Sequence, residues 1–222
     1  MKAGLIELVF IVDKSGSMQG LESDTIGGFN SMLEKQKVAG FAVLVTTILF
    51  DTNFNRLHHR VNINAVPLLT DKEYVAGGST ALLDAVGSEI DNLGKILAET
   101  DENERPEQVI FVIITDGEEN SSRVYDYRRV KEMIEHQRDK YNWEFIYIGA
   151  NIDAEFEGKR MGISGNRSIN YVADKTGTDM LYDNLGRTMN RLIVNKDVRA
   201  MDDLKMHLED DHSKRKGKKK KS

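Results

Sequence analysis

Residues 5–17 read Leu5-Ile6-Glu7-Leu8-Val9-Phe10-Ile11-Val12-Asp13-Lys14-Ser15-Gly16-Ser17. The run from Leu5 to Val12 is short, rich in β-branched residues and interrupted only by Glu7, and it closes on Asp13 and a Ser/Gly turn. That is the pattern of a strand buried on both faces, a type found in sheets covered by helices on either side. The strand delivers a group of oxygen-bearing side chains at its carboxyl end.

Working outward, the segment to about Gln36 reads as a helix. Phe41 to Phe50 and Phe54 to Ile63 are two strand-like runs separated only by Asp51-Thr52-Asn53, which fits a hairpin and therefore an antiparallel edge. After a loop holding Pro67 and Gly77-Gly78, residues Leu82, Leu83, Val86, Ile90, Leu93 and Leu97 fall on one helical face. Val109 to Ile114 is the most apolar run in the chain and is followed at once by Thr115-Asp116-Gly117, as expected of a central strand ending in a loop. Tyr127, Val130, Ile134 and Tyr141 keep helical spacing, Glu144 to Ile148 forms a strand stopping at Gly149, and Ser168 to Val172 a weaker one. A long helix follows with Leu181, Leu185, Met189, Leu192 and Ile193 inward. This alternation predicts a doubly wound α/β fold, a mostly parallel sheet with one antiparallel edge strand, helices on both faces and right-handed crossovers.

With 222 residues and 40% hydrophobic content, the chain supports one buried core rather than two. The expected division is a domain over 1–196, a charged helical extension over 197–211, and a basic, disordered tail over 212–222. The extension carries a narrow apolar stripe of Val198, Met201, Leu204 and Leu208, suited to packing on the body or to binding a partner. The formal net charge is -5. The tip residues Lys214, Arg215, Lys216 and Lys218 to Lys221 contribute +7, so the rest of the chain carries -12. An acidic body disfavours nucleic-acid binding over most of its surface, whereas the tip is suited to a polyanion contact. The absence of cysteine excludes disulfides, thiolate metal sites and cysteine nucleophiles. The amino-terminal stretch lacks a signal-peptide cleavage pattern, and no apolar run nears the ~20 residues of a membrane span. The expected setting is cytoplasmic, with no membrane partner.

In an open parallel sheet, ligands gather at the carboxyl ends of the strands where strand order reverses. The polar residues of interest sit at such ends: Asp13, Ser15 and Ser17 after the first strand, Thr80 in the turn opening a helix, and Asp116 after the central strand. All supply oxygen, the donor that hard cations prefer, with no His or Cys competing for a softer metal. The expected cofactor is Mg²⁺, with Ca²⁺ or Mn²⁺ compatible with the same donors. Gly16 lets the loop turn tightly enough for Ser15 and Ser17 to aim at one centre. Each motif alone is an ordinary turn or helix cap; their order and placement together carry the assignment.

Val12-Asp13-Lys14-Ser15-Gly16-Ser17-Met18, Gly77-Gly78-Ser79-Thr80-Ala81-Leu82 and Ile114-Thr115-Asp116-Gly117 resemble the three parts of a metal-ion-dependent adhesion site (MIDAS) in von Willebrand factor A (VWA) domains. The resemblance covers roughly Leu5 to Ile193 and suggests a stand-alone bacterial or phage-type member with a Rossmann-like fold. It implies that Ser15 and Ser17 ligate the metal directly, that Thr80 does so directly or through water, and that Asp13 and Asp116 act largely through water and hydrogen bonds. It also implies a protein partner presenting Asp or Glu as the last ligand, and a binding module rather than an enzyme.

A Mg²⁺-dependent phosphatase of the haloacid dehalogenase type is the alternative, since those enzymes also begin with a strand ending in Asp. Their second acid is replaced here by Ser15. A polyanion-binding scaffold using the Lys/Arg tail is a further alternative. Lys14 inside the motif would disfavour a nearby cation unless it points away, Glu118 to Asn120 are expected in a solvated loop, and His58 and His59 are expected at the surface, facing opposite sides.

Overall fold

The computed structural model describes residues 1–37, 42–195, 197 and 199–219. In chain order the elements are β1 (Lys2–Asp13), α1 (Glu22–Lys37), β2 (Ala42–Phe50), β3 (Phe54–Asn62), α2 (Leu82–Glu99), β4 (Pro106–Thr115), α3 (Tyr127–Tyr141), β5 (Glu144–Ala150), α4 (Ala154–Arg160), β6 (Ser168–Tyr171), α5 (Lys175–Asn195) and α6 (Ala200–Lys219). The six strands are ordered β3-β2-β1-β4-β5-β6. Among the described residues only the β2–β3 pair is antiparallel. The fold class read from the sequence is the one observed, with the reversal of strand order between β1 and β4.

Because side chains alternate along a strand, β1 feeds two cores. Ile6, Leu8, Phe10 and Val12 pack with α1, α5 and α6, and Val9 and Ile11 pack with α2, α3 and α4. Phe10 meets Phe29 of α1 edge to face at 5.2 Å between ring centres, and Phe29 meets Tyr182 of α5 at 6.3 Å. On the other face, Phe111, Trp143 and Phe145 form a cluster in which each ring is within 6.4 Å of the other two. Burying the central strands on both sides fixes their register, since a one-residue slip would send every side chain to the wrong face. The strand ends at the switch point are held accordingly.

Three expectations change. The carboxyl-terminal segment does not turn into a disordered tail at residue 212: α6 runs unbroken from Ala200 to Lys219. Ala200, Met201, Leu204 and Leu208 are buried against the body, and Arg215 pairs with Asp174 and Asp211. Local ion pairs such as Lys214–Asp210 support the helix there. Val198, Lys220, Lys221 and the start of β2 at Phe41 lie outside the described residues. His58 is buried, its Nδ1 2.9 Å from Thr47 Oγ1, while His59 is exposed. Two register shifts in the β2–β3 ladder put His58 opposite Thr47. The short helix α4 was not expected. Among the described residues no helix is long and apolar enough to cross a membrane.

Candidate metal site

At the carboxyl end of β1, Asp13 is buried and both its carboxylate oxygens accept hydrogen bonds. Ser15 N–H donates to Oδ1 at 2.7 Å and the Thr115 hydroxyl donates to Oδ2 at 2.6 Å. Asp13 therefore folds the serine loop back over the strand end and ties it to β4. Its own carbonyl accepts the Tyr74 hydroxyl at 2.5 Å. The Ser15 and Ser17 hydroxyls lie 3.0 Å apart, and Ser17 donates to Asp116 Oδ1 at 2.5 Å. The other oxygen of Asp116, Oδ2, is buried and has no hydrogen-bond partner.

The third strand end completes the cluster. A methyl group placed on Gly117 would lie 3.2 Å from Thr80 Oγ1, 3.3 Å from Ser17 Oγ and 4.0 Å from Ser15 Oγ. Three hydroxyls thus converge on a point that a side chain at 117 would invade. All five residues expected from the sequence, Asp13, Ser15, Ser17, Thr80 and Asp116, meet in one place. Four of them are buried, and Ser17 is exposed at the mouth.

The loops are laced to one another. Gly16 N–H donates to Gly78 O at 3.1 Å and Gly77 N–H to Lys14 O at 2.9 Å. Gly78 takes φ 75°, a left-handed conformation that L side chains resist, and an added Cβ there would strike Thr52. Lys14 turns away from the cluster to pair with Asp51. Glu118 and Asn120 are exposed in a loop, as expected, and Glu119 is half-buried, but Glu119 and Asn120 also hold backbone groups of the site. Asn120 Oδ1 accepts Thr80 N–H at 2.9 Å and Asn120 N–H donates to Thr80 O at 3.1 Å. Glu119 accepts the Leu83 N–H at 2.9 Å, and Ser122 Oγ accepts the Asp84 N–H at 3.0 Å. These acceptors serve the first turn of α2, whose N–H groups have no partner within the helix. Asn120 and Thr115 are the site residues that sequence reasoning missed. The only sequence signal for either was proximity to Asp116.

Burial raises the carboxyl pKa of Asp13, against hydrogen bonds from Thr115 and Ser15 and with added repulsion from Asp116. Burial likewise raises that of Asp116, opposed by the hydrogen bond from Ser17. No described basic side chain pairs with either. Among the described residues no group of three or more His, Cys, Asp and Glu side chains is suited to a metal. A cation here would rest on hydroxyls as much as carboxylates, which fits the orphaned Asp116 oxygen and the hydroxyl cradle.

No protein-family model matches the sequence, and no curated protein matches it. Solved structures do. The pilus adhesin SpaC from Lactobacillus rhamnosus GG, in an open conformation, superposes with a TM-score of 0.63 at 12% identity, over 87% of this chain and 31% of that one. The vWF domain of the type V pili tip protein Mfa5 from Porphyromonas gingivalis gives 0.55 at 10% identity, over 85% and 96%. Proximal thread matrix protein 1 from the mussel byssus, with a zinc-occupied MIDAS motif, gives 0.52 at 14%, over 85% and 46%. The chain thus spans less than half of the mussel protein and of the adhesin, and at these identities the likeness is one of fold. With its strand order, antiparallel edge and switch-point loops, the chain has the fold of a von Willebrand factor A-type domain.

Proposed function

We propose that the chain is a metal-dependent protein-binding module. In this reading Ser15, Ser17 and Thr80 hold a magnesium ion through their hydroxyls, Asp13 and Asp116 organise those ligands, and an acidic side chain of a partner protein completes the shell. The observation that carries it is the buried, unpartnered Oδ2 of Asp116 beside three convergent hydroxyls. A buried carboxylate with no counter-charge is costly, and the donors around it are of the hard-oxygen kind that Mg²⁺ takes, as do Ca²⁺ and Mn²⁺.

A divalent cation held mainly by neutral hydroxyls supplies an electrophilic centre that favours an incoming carboxylate. The chain's own residues do the positioning. Asp13 fixes the serine loop through Ser15 N–H, Asn120 fixes Thr80, and Lys14 is kept off the cation by Asp51. The pilus proteins and the zinc-bearing mussel protein of the same fold support a binding role and a divalent occupant. The cytoplasmic setting expected from the sequence belongs to this proposal.

A phosphatase needs Asp13 as an accessible nucleophile, yet its carboxylate is buried and both oxygens are engaged. A polyanion scaffold would rest on the carboxyl-terminal tip, where the described side chains Lys214 and Arg215 pair with acids, and it would leave the orphaned Asp116 oxygen without a role. Calorimetric titration of Mg²⁺, Ca²⁺ and Mn²⁺ tests the site. Binding to the wild type that is lost in Ser15→Ala/Ser17→Ala and in Asp116→Ala is expected; metal binding unchanged in those variants would sink the assignment. Partner capture from the native host with Mg²⁺ against a chelator then tests docking, and partners retained equally in every arm, Asp116→Ala included, would refute it.

A further inference from the structure

At the opposite end of the sheet, a cavity of about 560 Å³ opens between α2 and α3 beneath the start of β4. Its volume falls within the roughly 300–1,000 Å³ of small-molecule sites. The floor is Leu97, Val109 and Trp143, and Trp143 is braced from behind by stacking on Phe111, 5.5 Å between ring centres. Part of the α2 wall is Gly94. Glycine in the middle of a helix costs roughly 0.5–1 kcal/mol relative to alanine, and an added Cβ at 94 would meet only Gln137 Nε2 at 3.4 Å. Packing does not demand glycine there, and the missing side chain widens the cavity.

The charges on the rim are unevenly spent. Asp91 accepts the Tyr125 hydroxyl and faces Arg129, Glu107 accepts Gly4 N–H, and Arg105 donates to the carbonyls of Thr100 and Ala98. Lys95 and Lys140 line the cavity with no ion pair among the described residues, against one such acid, Glu102. Both lysines are exposed at the rim of the aromatic floor, and Lys140 Nζ lies 5.2 Å from the centre of the Tyr141 ring. The helix ends here are carboxyl ends, whose carbonyls repel anions. Those ends are already capped, by Arg105 on α2 and by the N–H groups of Asn142 and Trp143 on α3.

We propose that this cavity binds a small amphipathic carboxylate, its apolar body on Leu97, Val109 and Trp143 and its head between Lys95 and Lys140. The site is separate from the metal cradle. Trp143 is the only tryptophan in the chain, so its fluorescence reports on occupancy. Titration with dodecanoate is expected to change Trp143 emission saturably, to weaken about tenfold or more in Lys95→Glu/Lys140→Glu, and to vanish in Gly94→Leu, where the side chain fills the space. The Asp116→Ala variant, and wild type in chelator, should bind dodecanoate as wild type does, which separates this proposal from the metal reading. Circular dichroism melts establish that each variant is folded. Absence of saturable binding, equal binding of dodecanol, or binding that survives folded Gly94→Leu would each overturn the proposal.

Discussion

Four of the acids buried among the described residues form two pairs, and the fold treats the pairs differently. Near the antiparallel edge, Glu7 of β1 and Glu89 of α2 are each met by an arginine of β3. Arg60 Nε reaches Glu7 at 2.9 Å, and Arg56 reaches Glu89 through Nε at 2.9 Å and Nη2 at 2.6 Å. At the switch point, Asp13 and Asp116 are comparably buried and are met only by hydroxyl and amide groups. Lys14, next to Asp13 in sequence, is drawn off by Asp51. The chain thus supplies counter-charge where a buried acid serves architecture and withholds it where three loops converge. A withheld charge at the carboxyl end of a parallel sheet is the physical form of a cation site.

The largest effect should come from breaking the compensated pair. Removing one partner of a buried ion pair leaves the other charge stranded, at a cost of about 3 kcal/mol or more. Arg56→Ala strands Glu89, which is 1% exposed, so urea denaturation at pH 7 should show a loss of about that size. A loss under about 1 kcal/mol would mean that Glu89 finds another partner and that the contrast between the pairs is weaker than drawn.

The same pair sharpens the comparison through pH. Burial pushes the Glu7 carboxyl from its ordinary 4.5 up to about 7, which Arg60 only partly offsets and to which Glu89 adds repulsion. The folded chain therefore holds this proton more tightly than the unfolded chain. Its contribution to stability is full below about 4.5 and is lost as pH rises through about 7. Relative to Glu7→Gln, the wild type should lose about 2 kcal/mol between pH 5 and pH 8. Parallel pH profiles for the two proteins would show instead that Arg60 keeps Glu7 ionised throughout. Even a buried acid with a counter-ion is expensive, which bears on the two at the switch point that have none.

Much of this was legible in the sequence for a physical reason. Strands buried on both faces must be runs such as Leu8 to Val12 and Val109 to Ile114, and the polar residue ending such a run is placed by the strand itself. Asp13 and Asp116 could therefore be located without coordinates. Asn120 could not, because its part depends on the Thr80 backbone, forty positions away, and nothing local distinguishes it from a solvated asparagine. His58 was misread because the β2–β3 ladder shifts register twice and Arg60 takes φ 51°, so simple alternation gives the wrong environment. Tyr74, which anchors the Asp13 carbonyl from an irregular loop, has no periodic signal. The carboxyl-terminal helix was underread because composition registers charge and not the ion pairs that absorb it.

The smallest expected effect has the opposite sign. Burial raises the pKa of Asp116, so its ionised form is disfavoured in the folded chain, without metal, relative to the unfolded one. An asparagine there keeps an acceptor for the Ser17 hydroxyl and removes the uncompensated charge. Asp116→Asn should therefore leave the chelator-treated protein as stable as wild type or more stable by about 1 kcal/mol, while abolishing any rise in melting temperature on adding Mg²⁺. That rise should be present in the wild type, because a ligand binding only the folded state stabilises it by mass action. A clear destabilisation of metal-free Asp116→Asn would show that the carboxylate is already compensated by the chain, and the distinction between the two acid pairs would fall with it.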